Sequence, residues 1–207
     1  KIFFFFFMTR WYKDKKREHF YNKAKNQGYR ARSAYKLKQI QKKFHIIKKG
    51  DKVVDLGAAP GGWSQVAKEI VGEEGLVVGI DLSFIKPLED VVFLKGDMTE
   101  KDSLDRVVEI VGDSKVDVVL SDMSPDITGN YSMDQARSVY LCEKALDASK
   151  IILKDGGFFV CKIFEGEDLK SFVKKVKNCF SVVRRFNPPA SRKSSSEVYI
   201  VAKGFQC

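Results

Sequence analysis

From residue 52 onward the chain alternates short apolar runs with longer amphipathic stretches. The runs at 52–56, 76–82, 91–95, 116–121 and 157–164 are rich in Val, Ile, Leu and Phe, as strands covered on both faces are. Between and after them, 63–71, 103–112, 133–153 and 168–179 repeat apolar residues every three to four positions and read as helices. Strand and helix in alternation predict a doubly wound α/β sheet, mostly parallel, with helices on both faces. After residue 179 the pattern changes. F-S-V-V-R-R-F and S-S-E-V-Y-I-V-A-K form two strands joined by N-P-P-A-S-R-K-S, with no helix between them. They are expected to pair antiparallel at the sheet edge, completing seven strands. Upstream, S-A-Y-K-L-K-Q-I-Q-K-K-F sets Ala34, Leu37, Ile40 and Phe44 on one helical face, with Ser33 as the expected N-cap and Gly50 closing the segment.

With 207 residues, 44% of them hydrophobic, the chain can bury one substantial core. Charge divides it unevenly. Residues 1–49 hold sixteen Lys and Arg against two acids, Asp14 and Glu18, whereas the remainder is slightly acidic. The expected organisation is therefore a basic arm and helix over 1–49 and a second unit over 50–207. Clustered cations favour a polyanion partner, and this arm interleaves them with aromatics (Trp11, Tyr12, Phe20, Tyr21, Tyr29, Tyr35, Phe44) on which bases stack. A solvated basic helix face is the plainer alternative. Cys142, Cys161, Cys179 and Cys207 form no C-x-x-C pair and are expected to be reduced packing residues of a cytoplasmic protein. His19 and His45 are the only histidines, so no metal site is expected. The run Ile2–Phe7 is too short to span a bilayer, and Met8 fits a translation start that would make residues 1–7 an upstream extension.

The stretch V-V-D-L-G-A-A-P-G-G-W-S-Q (Val53 to Gln65) reads as a buried strand, a glycine turn and a helix start. A phosphate-binding loop needs Gly-Lys-Ser/Thr, but Trp63 follows Gly62. Gly57, Gly61 and Gly62, with Pro60 among them, also miss the spacing of a dinucleotide fingerprint. Asp81, Asp97 and Asp122 end or follow three consecutive strands, on the edge where open α/β sheets bind ligands. Asp81 is placed to accept both ribose hydroxyls, and Asp97 to receive an adenine amino proton. Taken singly, each Asp suits a turn or helix cap as well. As an ordered set beside a glycine turn they suit a nucleoside with a cationic, phosphate-free tail, which describes S-adenosyl-L-methionine.

D-L-G-A-A-P-G-G-W-S-Q, S-D-M-S-P-(x)-I-T-G and S-S-S-E-V-Y-I-V-A together resemble the FtsJ/RrmJ-type ribosomal RNA 2′-O-methyltransferases, over about Gly28 to Gly204. The resemblance implies a Rossmann-like class I S-adenosylmethionine-dependent methyltransferase over 50–207, with a Lys-Asp-Lys-Glu tetrad. Its counterparts are Lys36 in R-S-A-Y-K-L, Asp122, Lys162 in F-F-V-C-K-I-F-E-G, and Glu197 in S-S-E-V-Y, with Lys162 as proton acceptor. The cofactor contacts expected are Gly57, Pro60, Gly61, Gly62, Trp63, Asp81, Leu82, Asp97, Met98 and Asp122. Lys162 beside Lys36 has a cationic neighbour to lower its pKa, while Asp122 and Glu197 oppose that effect. Without the resemblance, Lys162 reads as a strand-end lysine reaching solvent, Glu197 as an edge-strand guard and Lys36 as one more solvated cation.

Arg30, Arg32, Lys36, Arg192 and Lys193 are the expected RNA contacts. The function implied is 2′-O-ribose methylation, at a uridine, in large-subunit (23S-type) ribosomal RNA by a cytoplasmic monomer without membrane or metal partners. Two alternatives stand beside it, a tRNA 2′-O-ribose methyltransferase and a non-catalytic RNA-binding ribosome assembly factor.

Overall fold

A computed structural model describes residues 22–192 and 195–207. After a short helical stretch at 22–26 come helix α1 (Ala34–Phe44), strand β1 (Lys52–Leu56), α2 (Gly62–Val71), β2 (Leu76–Asp81) and β3 (Val92–Lys95). Then follow α3 (Lys101–Val111), β4 (Val116–Ser121), α4 (Tyr131–Ile152), β5 (Leu153–Phe164), α5 (Leu169–Cys179), β6 (Phe180–Phe186) and β7 (Glu197–Phe205). Each expected element is present with ends moved by a few residues. The largest difference is β5, which starts directly at the end of α4 and passes a register irregularity between Val116 and Val118 of β4.

The seven strands lie in the order β3-β2-β1-β4-β5-β7-β6. All pairings are parallel except those of β7, which runs antiparallel to both β5 and β6. The final hairpin forms the antiparallel edge expected of it, with β7 against β5 and β6 outermost. Composition explains the choice. V-Y-I-V-A in β7 is buried throughout and needs cover on both faces, whereas β6 exposes most of its residues and suits the rim.

Strand alternation feeds two cores. Val54, Leu56, Val78, Ile80, Val119, Phe159, Cys161, Val198 and Ile200 point toward α3, α4 and α5. Val53, Val77, Val118, Leu120, Val160, Tyr199 and Val201 point the other way, toward α1 and α2. There Ala34, Leu37 and Ile40 of α1 are wholly buried, so the basic segment contributes part of the core. Ser33 does not cap α1 with its side chain. Its backbone is helical, and its carbonyl accepts the Trp63 indole N–H at 2.9 Å. Among the described residues no helix is long and apolar enough to cross a membrane.

The expectation of four reduced cysteines fails for one pair, since Cys179 is bonded to Cys207 with Cα atoms 4.9 Å apart. They are 28 residues apart in sequence, but antiparallel β6–β7 pairing returns the chain to its start, and the Gln206 N–H donates to the Cys179 carbonyl at 3.0 Å. Cys142 and Cys161 remain free thiols in the core. Titration of thiols in denaturant without reductant should find two, and after reduction four. In the chain-entropy account a cross-link over this span contributes about 3–4 kcal/mol, so Cys207→Ser should lower the unfolding midpoint in the absence of reductant.

Candidate active site

Alternation also aims the charged residues. Lys162 lies two positions after Val160 in β5, and Glu197 two before Tyr199 in β7, so both face α1 and α2. Pairing of β5 with β7 sets Lys162 opposite Tyr199 and Glu197 opposite Phe164. Asp122 follows the end of β4, two residues after Leu120 of the same core. From above, α1 brings Lys36 down onto Glu197, with Nζ 2.5 Å from Oε1. Lys162 Nζ sits 3.2 Å from Asp122 Oδ1 and donates to the Asp122 carbonyl at 2.6 Å.

Burial decides against the plainer readings of these side chains. Lys36 is 6% exposed and Lys162 7%, so neither is a solvated or solvent-seeking cation. Glu197 opens a strand that lies between two others, and its side chain is largely buried against Lys36 instead of standing at a solvent edge. Burial pushes its carboxyl up, but the charge and hydrogen bond of Lys36, together with the Lys162 charge, outweigh burial and hold it below the usual range. Two ammonium groups and two carboxylates thus share one water-poor face. Between them they offer donors and acceptors to a neutral hydroxyl.

Tyr199 completes this group and was not anticipated. Its hydroxyl donates to Asp122 Oδ1 at 2.6 Å, its ring stacks on Trp63 with centroids 5.7 Å apart, and Lys36 Nζ lies 5.6 Å from the ring centre. Burial, then the negative charges of Asp122 and Glu197, raise its phenol well above the ordinary value and keep it a donor. The signal was present in S-S-E-V-Y, since a residue two after a strand glutamate shares its face.

Beside the charged group is a cleft lined by Ser33, Asp55, Gly57, Pro60, Trp63 and Asp122, among others. Two glycines of the turn that forms it are required by neighbouring protein groups. Gly57 has φ +74°, and a Cβ there would lie 2.2 Å from Met123 Cγ. Gly61 has φ +100°, and its Cβ would lie 3.0 Å from the Arg30 guanidinium. Trp63 lines the cleft while buried in the core. Asp81 accepts the Ala59 N–H at 2.9 Å and the Ser83 N–H at 2.7 Å, one on each oxygen. Asp97 accepts from the N–H and hydroxyl of Thr99 through Oδ1. Leu82 is largely exposed, whereas Met98 is buried in the core toward α3.

Of the expected RNA contacts, Arg192 is exposed in a loop that Gln39 of α1 holds through the Ala190 N–H, at 2.8 Å. Arg32 lies close enough to Tyr199 for its charge to oppose the rise of the phenol. Arg30 turns inward to backbone carbonyls. Lys193 and the cations and aromatics of residues 1–21 lie outside the described residues.

Residues 29–205 match the model of a family described as FtsJ-like methyltransferase. The chain belongs to this family. A Halorubrum lacusprofundi protein named Ribosomal RNA large subunit methyltransferase E is 54% identical over 190 residues, 91% of this chain and 71% of the relative. A Methanothrix thermoacetophila protein of the same name is 50% identical over 187 residues, 90% and 72% of the two chains. Among solved structures, a Plasmodium falciparum ribosomal RNA methyltransferase superposes with TM-score 0.79 at 30% identity, over 86% of this chain and 98% of its own. Aeropyrum pernix fibrillarin, solved with S-adenosyl-L-methionine, shares the fold at TM-score 0.56 and 17% identity, over 82% and 76%.

In this FtsJ-like methyltransferase the acid that sequence reading passed over is Asp55. It hides in the apolar run V-V-D-L, fully buried, with Oδ2 accepting from Ser64 Oγ at 2.7 Å and Oδ1 without a hydrogen-bond partner among the described residues. Burial raises its pKa to about 7; Ser64 opposes the rise, and the charges of Asp122 and Asp81 add to it. A buried carboxylate lacking a partner is costly. The unfolded chain releases this proton near pH 4, the FtsJ-like fold only near pH 7. Its contribution to stability is therefore complete below about pH 4 and lost as pH rises through about 7. Relative to the wild type, Asp55→Asn should gain about 2–3 kcal/mol between pH 5 and pH 8, read by urea unfolding at the two values.

Proposed function

We propose that the protein methylates a ribose 2′-hydroxyl in large-subunit ribosomal RNA, with S-adenosylmethionine as methyl donor, in the cytoplasm. The observation that carries this reading is the buried junction of Lys36–Glu197 and Lys162–Asp122 beside the Asp55 cleft. It is supported by the family and by the names of relatives that cover most of the chain.

The cleft suits that cofactor on the character of its own residues. Its wall carries acids and no phosphate-binding lysine, and the unpartnered Asp55 Oδ1 suits an ammonium group. Asp81 would hold the ribose hydroxyls and Asp97 the adenine amino group, since each carboxylate oxygen retains acceptor capacity beyond the bonds described. Gly57, Pro60, Gly61, Gly62 and Trp63 would line the tail, Leu82 and Met98 the base. When bound, S-adenosylmethionine supplies a methyl group on a sulfonium sulfur.

The chain's own task is to place and deprotonate a poor nucleophile. Alignment alone contributes several kcal/mol. Lys162 acts from its neutral form, after its resting proton has passed to solvent: it receives the proton that leaves the 2′-hydroxyl, and the ammonium so restored is held by the carboxylate and carbonyl of Asp122. Tyr199 keeps Asp122 aimed by donating to the same oxygen. Lys36, fixed by Glu197, places a second positive charge on the same face, where it favours the negative charge that develops on the oxygen as its proton leaves. Arg32, Arg192 and Lys193, with cations of the first twenty-one residues, meet the phosphates of the RNA.

Tritiated S-adenosylmethionine should label isolated large ribosomal subunits at a single alkali-resistant position, and Lys162→Ala should lower the rate by ~10²-fold or more. Label in tRNA alone would move the substrate to tRNA. No label in either RNA would leave an RNA-binding assembly factor.

A further inference from the structure

Arg30 sits in the basic arm, yet its surroundings are not those of a phosphate contact. Through Nη1 it donates to the Lys86 carbonyl at 2.5 Å, and through Nη2 to the Pro87 carbonyl at 2.6 Å. The Pro60 carbonyl lies 3.5 Å from Nη1, and the Phe93 ring centre 5.8 Å from the guanidinium carbon. Behind the side chain, the Arg30 N–H donates to Gln65 Oε1 at 3.2 Å, and Gln65 Nε2 donates back to the Gly28 carbonyl at 3.0 Å. Gly61 is bare on the side where the guanidinium rests.

These contacts join three parts of the cleft's frame. Pro60 and Gly61 belong to the glycine turn, and Gln65 to the first turns of α2. Lys86 and Pro87 belong to the loop that leaves Asp81 and carries Leu82. At the near end of that loop, Asp81 already binds the turn through the Ala59 N–H at 2.9 Å. At the far end Arg30 makes the corresponding tie. Loop and turn are thus fastened at two points, with the expected nucleoside contacts between them.

We propose that Arg30 is a positioning residue for the cofactor cleft, holding the 82–87 loop against the glycine turn, and not an RNA phosphate contact. The inference rests on the S-adenosylmethionine reading of the cleft. Adjacent carbonyls met by two nitrogens of one planar fork are a task an ammonium cannot copy, although it keeps the charge. Lysine at this position therefore separates the two roles. A phosphate contact tolerates it, and a two-carbonyl clip does not.

The test uses the full chain and its Arg30→Lys and Arg30→Gln variants. Calorimetry measures S-adenosylmethionine affinity, steady-state kinetics with large subunits gives KM and kcat, and RNA binding is followed across a salt series. Both variants should bind S-adenosylmethionine about 10-fold more weakly, matching the loss of a charge-assisted hydrogen bond. KM for the cofactor should rise in step, while kcat at saturation and the salt slope of RNA binding stay at wild-type values. A global structural defect would lower kcat and the melting temperature as well, and that pattern would overturn the proposal. Unchanged cofactor affinity in both variants, or a salt slope about one unit shallower in Arg30→Gln, would overturn it too and return Arg30 to the RNA. A wild-type chain that does not bind S-adenosylmethionine would remove the underlying reading and the proposal together.

Discussion

A buried ammonium must have a partner, and in this protein that requirement joins the two layers of the fold. Taking an ion out of water costs several kcal/mol even after relaxation, and removing one member of a buried pair is more damaging than removing both. Lys36 comes from a helix and Glu197 from a strand more than 150 residues later, so their contact fixes α1 over the end of β7. Lys162 and Asp122 do the same between the ends of β5 and β4. The polar face survives burial because the four charges cancel and Tyr199 supplies a further hydrogen bond. One constraint shapes both the packing and the chemistry.

That constraint works through a period of two. Residues Val53, Val118, Val160 and Tyr199 enter one core, and the positions two away from them are Asp55, Leu120, Lys162 and Glu197. The same alternation that builds the hydrophobic layer therefore aims the charged residues once a strand passes beyond it. The opposite parity buries Val54, Val119, Phe159 and Ile200 under the other helices. A shift of one residue in β5 or β7 would bury Lys162 or Glu197 under those helices, away from their partners.

The element order and the parallel sheet were legible in the sequence because each apolar run is short and bounded by turn residues. The place of β7 was less so, since local pattern does not give spatial order, although its all-apolar middle already required cover on both faces. The Cys179–Cys207 bond was hidden for a similar reason: only pairing between β6 and β7 brings those residues together. Asp55 was overlooked because attention to strand ends passes over an acid inside a strand. The glycine turn was read for its approach to a ligand. At Gly57 and Gly61 the near neighbours are Met123 and Arg30, so glycine there is explained by protein packing whatever the cleft holds.

Charge counting is where sequence and structure part most instructively. The first 49 residues carry a surplus of fourteen positive charges, which suggests an arm turned wholly toward phosphate. Several of those charges are engaged by the protein's own groups. Lys36 pairs with Glu197, Arg30 donates to two carbonyls, and Lys38 lies 3.6 Å from Glu69 while also donating to the Tyr29 hydroxyl. A guanidinium bound to carbonyls keeps its formal charge but has its donors directed inward, so it organises the fold more than it collects counterions. The salt dependence of RNA binding counts phosphates neutralised, not cations present in a segment. A count of cations in the arm therefore overstates the phosphates it could neutralise, because the methyltransferase fold has taken some of them for its own construction.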